Sequence, residues 1–153
     1  LPRWPSSSRA VGVAAAVARR AGEVAREGRH VRVGVDLVEV ETVRRRFARH
    51  PDLLRATFSD GELDYCLSRR DPWPHVAARF AAKEALLKAL GTGLAGAMSW
   101  RDIEVVRDAG GAPALRLDAA VAARAARQAA RDVTISLSHT RSRAIAVVVL
   151  SVS

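Results

Sequence analysis

Residues 75 to 90, HVAARFAAKEALLKAL, read as one strong helix, and Gly91 ends it. Ala, Leu, Lys and Glu are good helix formers, and glycine suits the left-handed position just past a helix. Whatever else this chain builds must pack around that segment. It also holds Lys83 and Lys88, the only lysines in a chain whose Lys+Arg count is 25. Everywhere else a positive charge is arginine.

The rest divides into short elements of both kinds. VRVGVDLVEV (31–40) is valine-rich with polar residues interleaved, which predicts a strand. Val40, Val43 and Phe47 then recur at helical spacing beneath the run Arg44-Arg45-Arg46. Ser59 followed by Glu62 is a capping-box pattern opening a helix, and DPWPH is a proline-rich break before the long helix. DIEVVRD (102–108), Gly110-Gly111 and ALRL (114–117) read as a hairpin. Asp118 caps an Ala/Arg helix to about Ala130, and VTISLSH with AIAVVVL form a closing hairpin. The expected architecture is a single α+β domain over 31–153. Residues 1–30 stand apart as a helical extension or linker, with Val13, Val17, Ala21 and Val24 on one face. This Arg- and Ser-rich segment resembles a transit peptide, and a trimmed fragment is an equal reading.

Composition narrows the functional classes. At 153 residues, with 49% hydrophobic but only 5% aromatic residues, the core must be largely Ala, Val and Leu. A formal net charge of +9 points to an anionic partner. The one cysteine, Cys66, excludes an internal disulfide and a multi-cysteine zinc site, and fits a reducing, cytoplasmic setting. No apolar run approaches the roughly 18 residues of a membrane span. GTGLAG (91–96) matches G-x-G-x-x-G, but it follows a helix instead of a strand, so a dinucleotide site is rejected. The arginine runs lack interleaved aromatics and any DNA- or RNA-reading motif; they read as solvated faces, and no nucleic acid is expected. His30, His50, His75 and His139 are scattered without metal-ligand spacing.

The chemistry concentrates near the lysines. One reading of KEALLK is an ordinary i,i+4 pair between Glu84 and Lys88, worth about 0.2–0.5 kcal/mol. Arginine would serve that purpose equally, so two neighbouring lysines suggest that amine geometry matters. Asp36 lies inside an apolar strand, where a carboxylate is costly unless paired or metal-bound. If strand 33–38 packs on helix 76–90, Asp36 and Glu84 converge between ammonium groups. That set suits Mg²⁺ holding a pyrophosphate, since Mg²⁺ takes one or two protein carboxylates plus substrate phosphates. The plain alternative is a buried Asp capping a turn and a solvated Glu.

In order and spacing, GVDLVEV (34–40), RFAAKEALLKALGTG (79–93), DIEV (102–105) and SLSHT (136–140) resemble the holo-[acyl-carrier-protein] synthases, the AcpS-type 4′-phosphopantetheinyl transferases. The resemblance covers about residues 32 to 150. It implies an antiparallel sheet with a long helix packed on it, in a homotrimer with active sites between subunits. It implies transfer of 4′-phosphopantetheine from coenzyme A to a serine of an acidic apo acyl carrier protein of fatty acid or polyketide synthesis. Adenosine 3′,5′-bisphosphate leaves, and Mg²⁺ is required.

Residue by residue, the resemblance makes Asp36 and Glu84 the metal carboxylates and Lys88 the contact to the coenzyme A pyrophosphate that assists the leaving phosphate. Arg79, Lys83, Gly91 and His139 fall near bound coenzyme A. Glu84, through a water held by the ion, is the candidate base for the serine proton. Where the family usually has an arginine facing the carrier, this chain has Thr42, and Arg44, Arg45 or Arg46 would substitute. A non-catalytic relative binding coenzyme A or carrier protein as a scaffold is the second reading.

Overall fold

The computed structural model describes residues 30–153, so the expected N-terminal helix lies outside the described residues. Val31–Val152 form one compact unit. Strand β1 (His30–Glu39) runs into helix α1 (Val40–Phe47), then α2 (Pro51–Thr57) and α3 (Asp60–Leu67). The long helix α4 (Trp73–Ala89) follows, then a single 3₁₀ turn (Trp100–Asp102) and strands β2 (Ile103–Arg107) and β3 (Pro113–Leu117). Helix α5 (Ala119–Arg127) leads to β4 (Ala130–His139) and β5 (Arg143–Val152). One sheet has the order β1-β5-β4, and β2-β3 form a second, two-stranded sheet. β4 and β5 pair antiparallel with Leu137 opposite Ala146, and β2 and β3 pair antiparallel with Val105 opposite Leu115.

Three local expectations are corrected. DPWPH does not keep the long helix from starting before His75: α4 begins at Trp73 with proline in its first turn, where a missing N–H costs nothing. Pro51 opens α2 in the same way, an element the sequence pattern did not reveal. α5 stops at Arg127, and Ala130 already belongs to β4. The capping box is present: Ser59 Oγ accepts from Glu62 N at 3.1 Å while Glu62 Oε2 accepts from Ser59 N at 2.9 Å.

α4 is the axis of the core. Its alanines at 81, 82, 85 and 89, with Leu86 and Leu90, bury against Ile135, Ala146, Val148 and Leu150 from the sheet. A second cluster places Phe47, Phe58, Val76, Ala77 and Phe80 together, with the ring centroids of Phe47 and Phe80 5.7 Å apart. Cys66 lies there too, and burial raises its thiol to about 11, so it packs as an inert apolar group. Small side chains along α4 let the sheet approach closely. At Gly34 the approach reaches backbone: an added Cβ would stand 1.8 Å from the carbonyl oxygen of Ala85.

Candidate active site

That close approach positions the chemistry. β1 alternates, so Gly34, Asp36 and Val38 share the face toward α4, while Val33, Val35 and Leu37 point outward. With Gly34 seated on Ala85 and Ala89, Asp36 meets the next exposed stripe of the helix. Lys88 Nζ donates to Asp36 Oδ1 at 2.7 Å and to the Val35 carbonyl at 3.1 Å. The Asp36 side chain is 13% exposed, and its other oxygen, Oδ2, is buried with no hydrogen-bond partner.

Glu84 stands one turn before Lys88 on the same face. Burial, then the nearby Asp36 charge, raises its proton affinity above the usual carboxylate range; Lys88 and Arg46 pull the other way. Two neighbouring carboxylates, one with an unpartnered buried oxygen, could take a further positive charge beside that of Lys88. The donors fit Mg²⁺, which needs few protein oxygens and takes the rest from phosphate and water. Among the described residues no group of three His, Cys, Asp or Glu gathers, so a closed cage for a softer metal is not built.

Lys83 is placed differently from its expected position beside coenzyme A. Its side chain is fully enclosed, and its ammonium donates to Glu62 Oε2 at 2.8 Å, the Trp100 carbonyl at 2.9 Å and the Ile103 carbonyl at 2.5 Å. Three acceptors meet three donors, leaving none for a ligand. Burial lowers the Lys83 pKa, and Glu62 opposes that. Glu62 Oε1 in turn accepts from Val105 N at 3.0 Å, which ties α3, α4 and β2 together.

Gly91 closes α4. At φ 63° it donates its N–H to the Lys88 carbonyl at 3.0 Å, and Thr92 donates to the Leu87 carbonyl at 3.0 Å. This paired ending fixes the last turn, and with it the base of the Lys88 side chain. The glycine-rich stretch after it leads into one capped 3₁₀ turn, with no α-helix for a dinucleotide to meet.

Arg79 and His139 meet elsewhere, in a hollow of about 260 Å³ that none of Asp36, Glu84 or Lys88 lines. Tyr65, His75 and Arg107 also line it. The Arg79 guanidinium lies 4.0 Å from the centre of the Tyr65 ring, and its Nε is buried without a partner. Arg107 Nη2 donates to the Tyr65 hydroxyl at 2.5 Å, and His75 and His139 stack edge-on at 4.8 Å. Burial raises the Tyr65 pKa, but the Arg107 hydrogen bond and the charges of Arg107, Arg69 and Arg79 outweigh it, leaving the phenol below its usual range. Burial first, then His139 and the arginines, lowers His75, with Asp71 opposing. An aromatic face ringed by guanidinium groups suits a ligand that is flat and anionic. The resemblance named Arg79 and His139 but not Tyr65, His75 or Arg107, which share their hollow. They come from three separate elements, with no shared spacing to betray them.

The arginines of α1 also part company. Arg44 pairs with Glu41 at 3.8 Å and lies 6.0 Å from the Trp73 ring centre; Arg46 lies 5.2 Å from that of Phe80, one turn before Glu84. Arg44, Arg45 and Thr42 are all exposed on the helix's outer side.

A long helix packed on an antiparallel sheet, with two carboxylates and an amine at their seam, defines the class of fold: α+β. The chain belongs to the 4′-phosphopantetheinyl transferase superfamily, a family of enzymes, whose pattern matches residues 32–148. It is 45% identical over 125 residues to the holo-[acyl-carrier-protein] synthase of Moorella thermoacetica, spanning 78% of this chain and 93% of that one. Its fold is similar to the Chronobacterium ammoniagenes ACPS–CoA complex, at TM-score 0.72 and 28% identity, covering 81% of this chain and 98% of that one. It is also similar to Helicobacter pylori holo-[acyl-carrier-protein] synthase in complex with coenzyme A, at TM-score 0.67 and 28% identity, covering 77% and 98%.

Proposed function

We propose that the chain transfers 4′-phosphopantetheine from coenzyme A to a serine of an apo acyl carrier protein in the cytoplasm, releasing adenosine 3′,5′-bisphosphate, with Mg²⁺ as cofactor. The observation that carries this reading is Asp36, one oxygen held by Lys88 and the other unpartnered beside Glu84.

Asp36 and Glu84 would hold Mg²⁺, which when bound neutralises charge on the phosphates. Lys88, half-exposed at the end of a long flexible stem, turns from Asp36 toward the bridging oxygen and stabilises the negative charge of the departing bisphosphate. The serine Oγ–P bond forms as the P–O bond to the bisphosphate breaks. The serine proton passes, by way of a water, to the Glu84 carboxylate.

The hollow of Arg79, His139 and Tyr65 takes the flat, phosphorylated nucleotide end of coenzyme A. In the homotrimer that this reading includes, one chain's nucleotide hollow serves a neighbour's Lys88 across a subunit interface; Asp36, Glu84 and Lys88 do not line the hollow of their own chain. The outward row Val31, Val33, Val35 and Leu37, each 46–60% exposed, supports such self-association. Arg44 and Arg45 offer an acidic carrier its docking charges.

The test is mass spectrometry of apo carrier protein incubated with coenzyme A and Mg²⁺. The unmodified enzyme should add one phosphopantetheine group. Glu84→Gln and Lys88→Ala should each reduce the rate by about two to three orders of magnitude while remaining folded. Near-normal turnover in either variant contradicts the roles assigned, and no loading by the unmodified protein favours the scaffold reading.

A further inference from the structure

A larger hollow than that of Arg79 is lined by none of these groups. It has a volume of about 480 Å³ and runs between the loop 92–98 and helix α5, from which Ala120, Ala123, Arg124 and Arg127 line it. We propose that this groove is a second anion site, one that binds a phosphate-bearing small molecule.

Arg124 and Arg127 are three residues apart on α5, so both guanidinium groups reach the same helix face. Among the described residues neither forms an ion pair, and no carboxylate lines the groove. The Arg124 Nε is buried without a hydrogen-bond partner. A desolvated guanidinium donor without an acceptor is unfavourable, and an oxyanion in the groove would satisfy it.

The opposite wall is preformed. Gly91 and Thr92 anchor one end of the loop in the closing turn of α4. Near the other, Met98 N donates to the Ala95 carbonyl at 3.2 Å across a turn with Gly96 at φ 61°. Between the walls Ala95, Ala97, Ala120 and Ala123 leave space that larger side chains would fill.

Two guanidinium forks favour phosphate over carboxylate. A carboxylate occupies one fork, whereas a phosphoryl or diphosphoryl group has enough oxygens to bridge both. No aromatic ring lines the groove to stack a base, so the phosphate is the recognised part. This inference is independent of the transferase reading, because the groove shares no residue with Asp36, Glu84, Lys88 or the Arg79 hollow.

The experiment titrates inorganic pyrophosphate into ¹⁵N-labelled full-length protein, with acetate as the carboxylate control, and follows amide shifts. Saturable shifts are expected at residues 95–98 and 120–127 with pyrophosphate and not with acetate at matched ionic strength. In Arg124→Gln/Arg127→Gln those shifts should vanish or need at least tenfold more ligand, while shifts near Asp36 and Lys88 persist. Lys88→Ala should show the reverse pattern. If the double variant folds poorly, Arg127→Gln alone, at an exposed position, should weaken groove binding several-fold. The proposal is overturned by an absence of saturable shifts at the groove, by equal response to acetate, or by unchanged binding in the arginine variants. None of these outcomes bears on carrier loading, which the mass-spectrometric assay reads separately.

Discussion

Lys83 and Lys88 share a helix and do opposite work. Lys83 is an internal strut: its compact ammonium group satisfies three acceptors converging from α3, the 3₁₀ turn and the start of β2. A planar arginine fork is too large and wrongly shaped for that enclosure. Lys83→Met should cost about 3–5 kcal/mol, because it leaves Glu62 buried and uncompensated. Lys83→Arg should also destabilise. Urea unfolding checks both, and a wild-type midpoint for Lys83→Arg would refute the geometric argument. Lys88 instead keeps its amine half-exposed, paired with Asp36 at the surface. His75 supplies a pH test. Burial and its cationic neighbours hold its folded pKa below the ordinary 6.5, so its unfolded form binds protons more readily. Stability should therefore be full above pH 6.5 and fall as pH drops through the lowered folded value. Melting temperatures across that window should flatten in His75→Gln, and an unchanged slope would exclude His75 as the source.

At the scale of elements, the fit of β1 on α4 decides whether a site exists. Ala85 and Ala89 give the helix a smooth face, and Gly34 removes the last side chain from the contact. Because the near neighbour is main chain, no rotamer change can relieve a new Cβ there. Gly34→Ala should destabilise by about 3 kcal/mol or more, the upper end of overpacking costs. It should also separate Asp36 from Lys88, so that residual folded protein loads carrier poorly. Full activity in this variant, measured by carrier loading alongside denaturant unfolding, would mean that β1 tolerates displacement. The same closeness explains the alanine bias of α4: larger residues would push the sheet, and Asp36 with it, away from Glu84.

For the whole molecule, the unusual surface is the outer face of the β1-β5-β4 sheet. Val31, Val33 and Leu37 are more than half exposed, and Ile145 on β5 adds 37% exposure beside them. A contiguous aliphatic sheet face normally marks a contact with another chain. Leu37→Asp should reduce the mass measured by sedimentation to that of a monomer and sharply lower carrier loading, with secondary structure retained. A monomer that loads carrier at the normal rate would show that a single chain completes the site. On the proposed function, the net charge of +9 should speed encounter with an acidic carrier at low salt, and the advantage should shrink at physiological ionic strength, where charges more than about 8 Å apart are largely screened.

The sequence by itself determined the parts that depend on short-range pattern. The Ser59–Glu62 cap, the helix ending at Gly91, the two hairpins and the α+β class follow from periodicity, turn residues and capping, all local in the chain. Motif order named Asp36, Glu84 and Lys88, and the structure brings Lys88 to 2.7 Å from Asp36 with Glu84 near enough to feel the Asp36 charge. Proline in the first turn misled the start of α4, because that position needs no N–H. Only the tertiary structure separated the two lysines, since burial depends on what α3 and the 3₁₀ turn place over Lys83 and not on its neighbours along the helix. It alone assembled Tyr65, His75, Arg79, Arg107 and His139 into one hollow, and set Arg124 beside the loop after α4. Those contacts span elements distant in sequence, and no period in the chain encodes them.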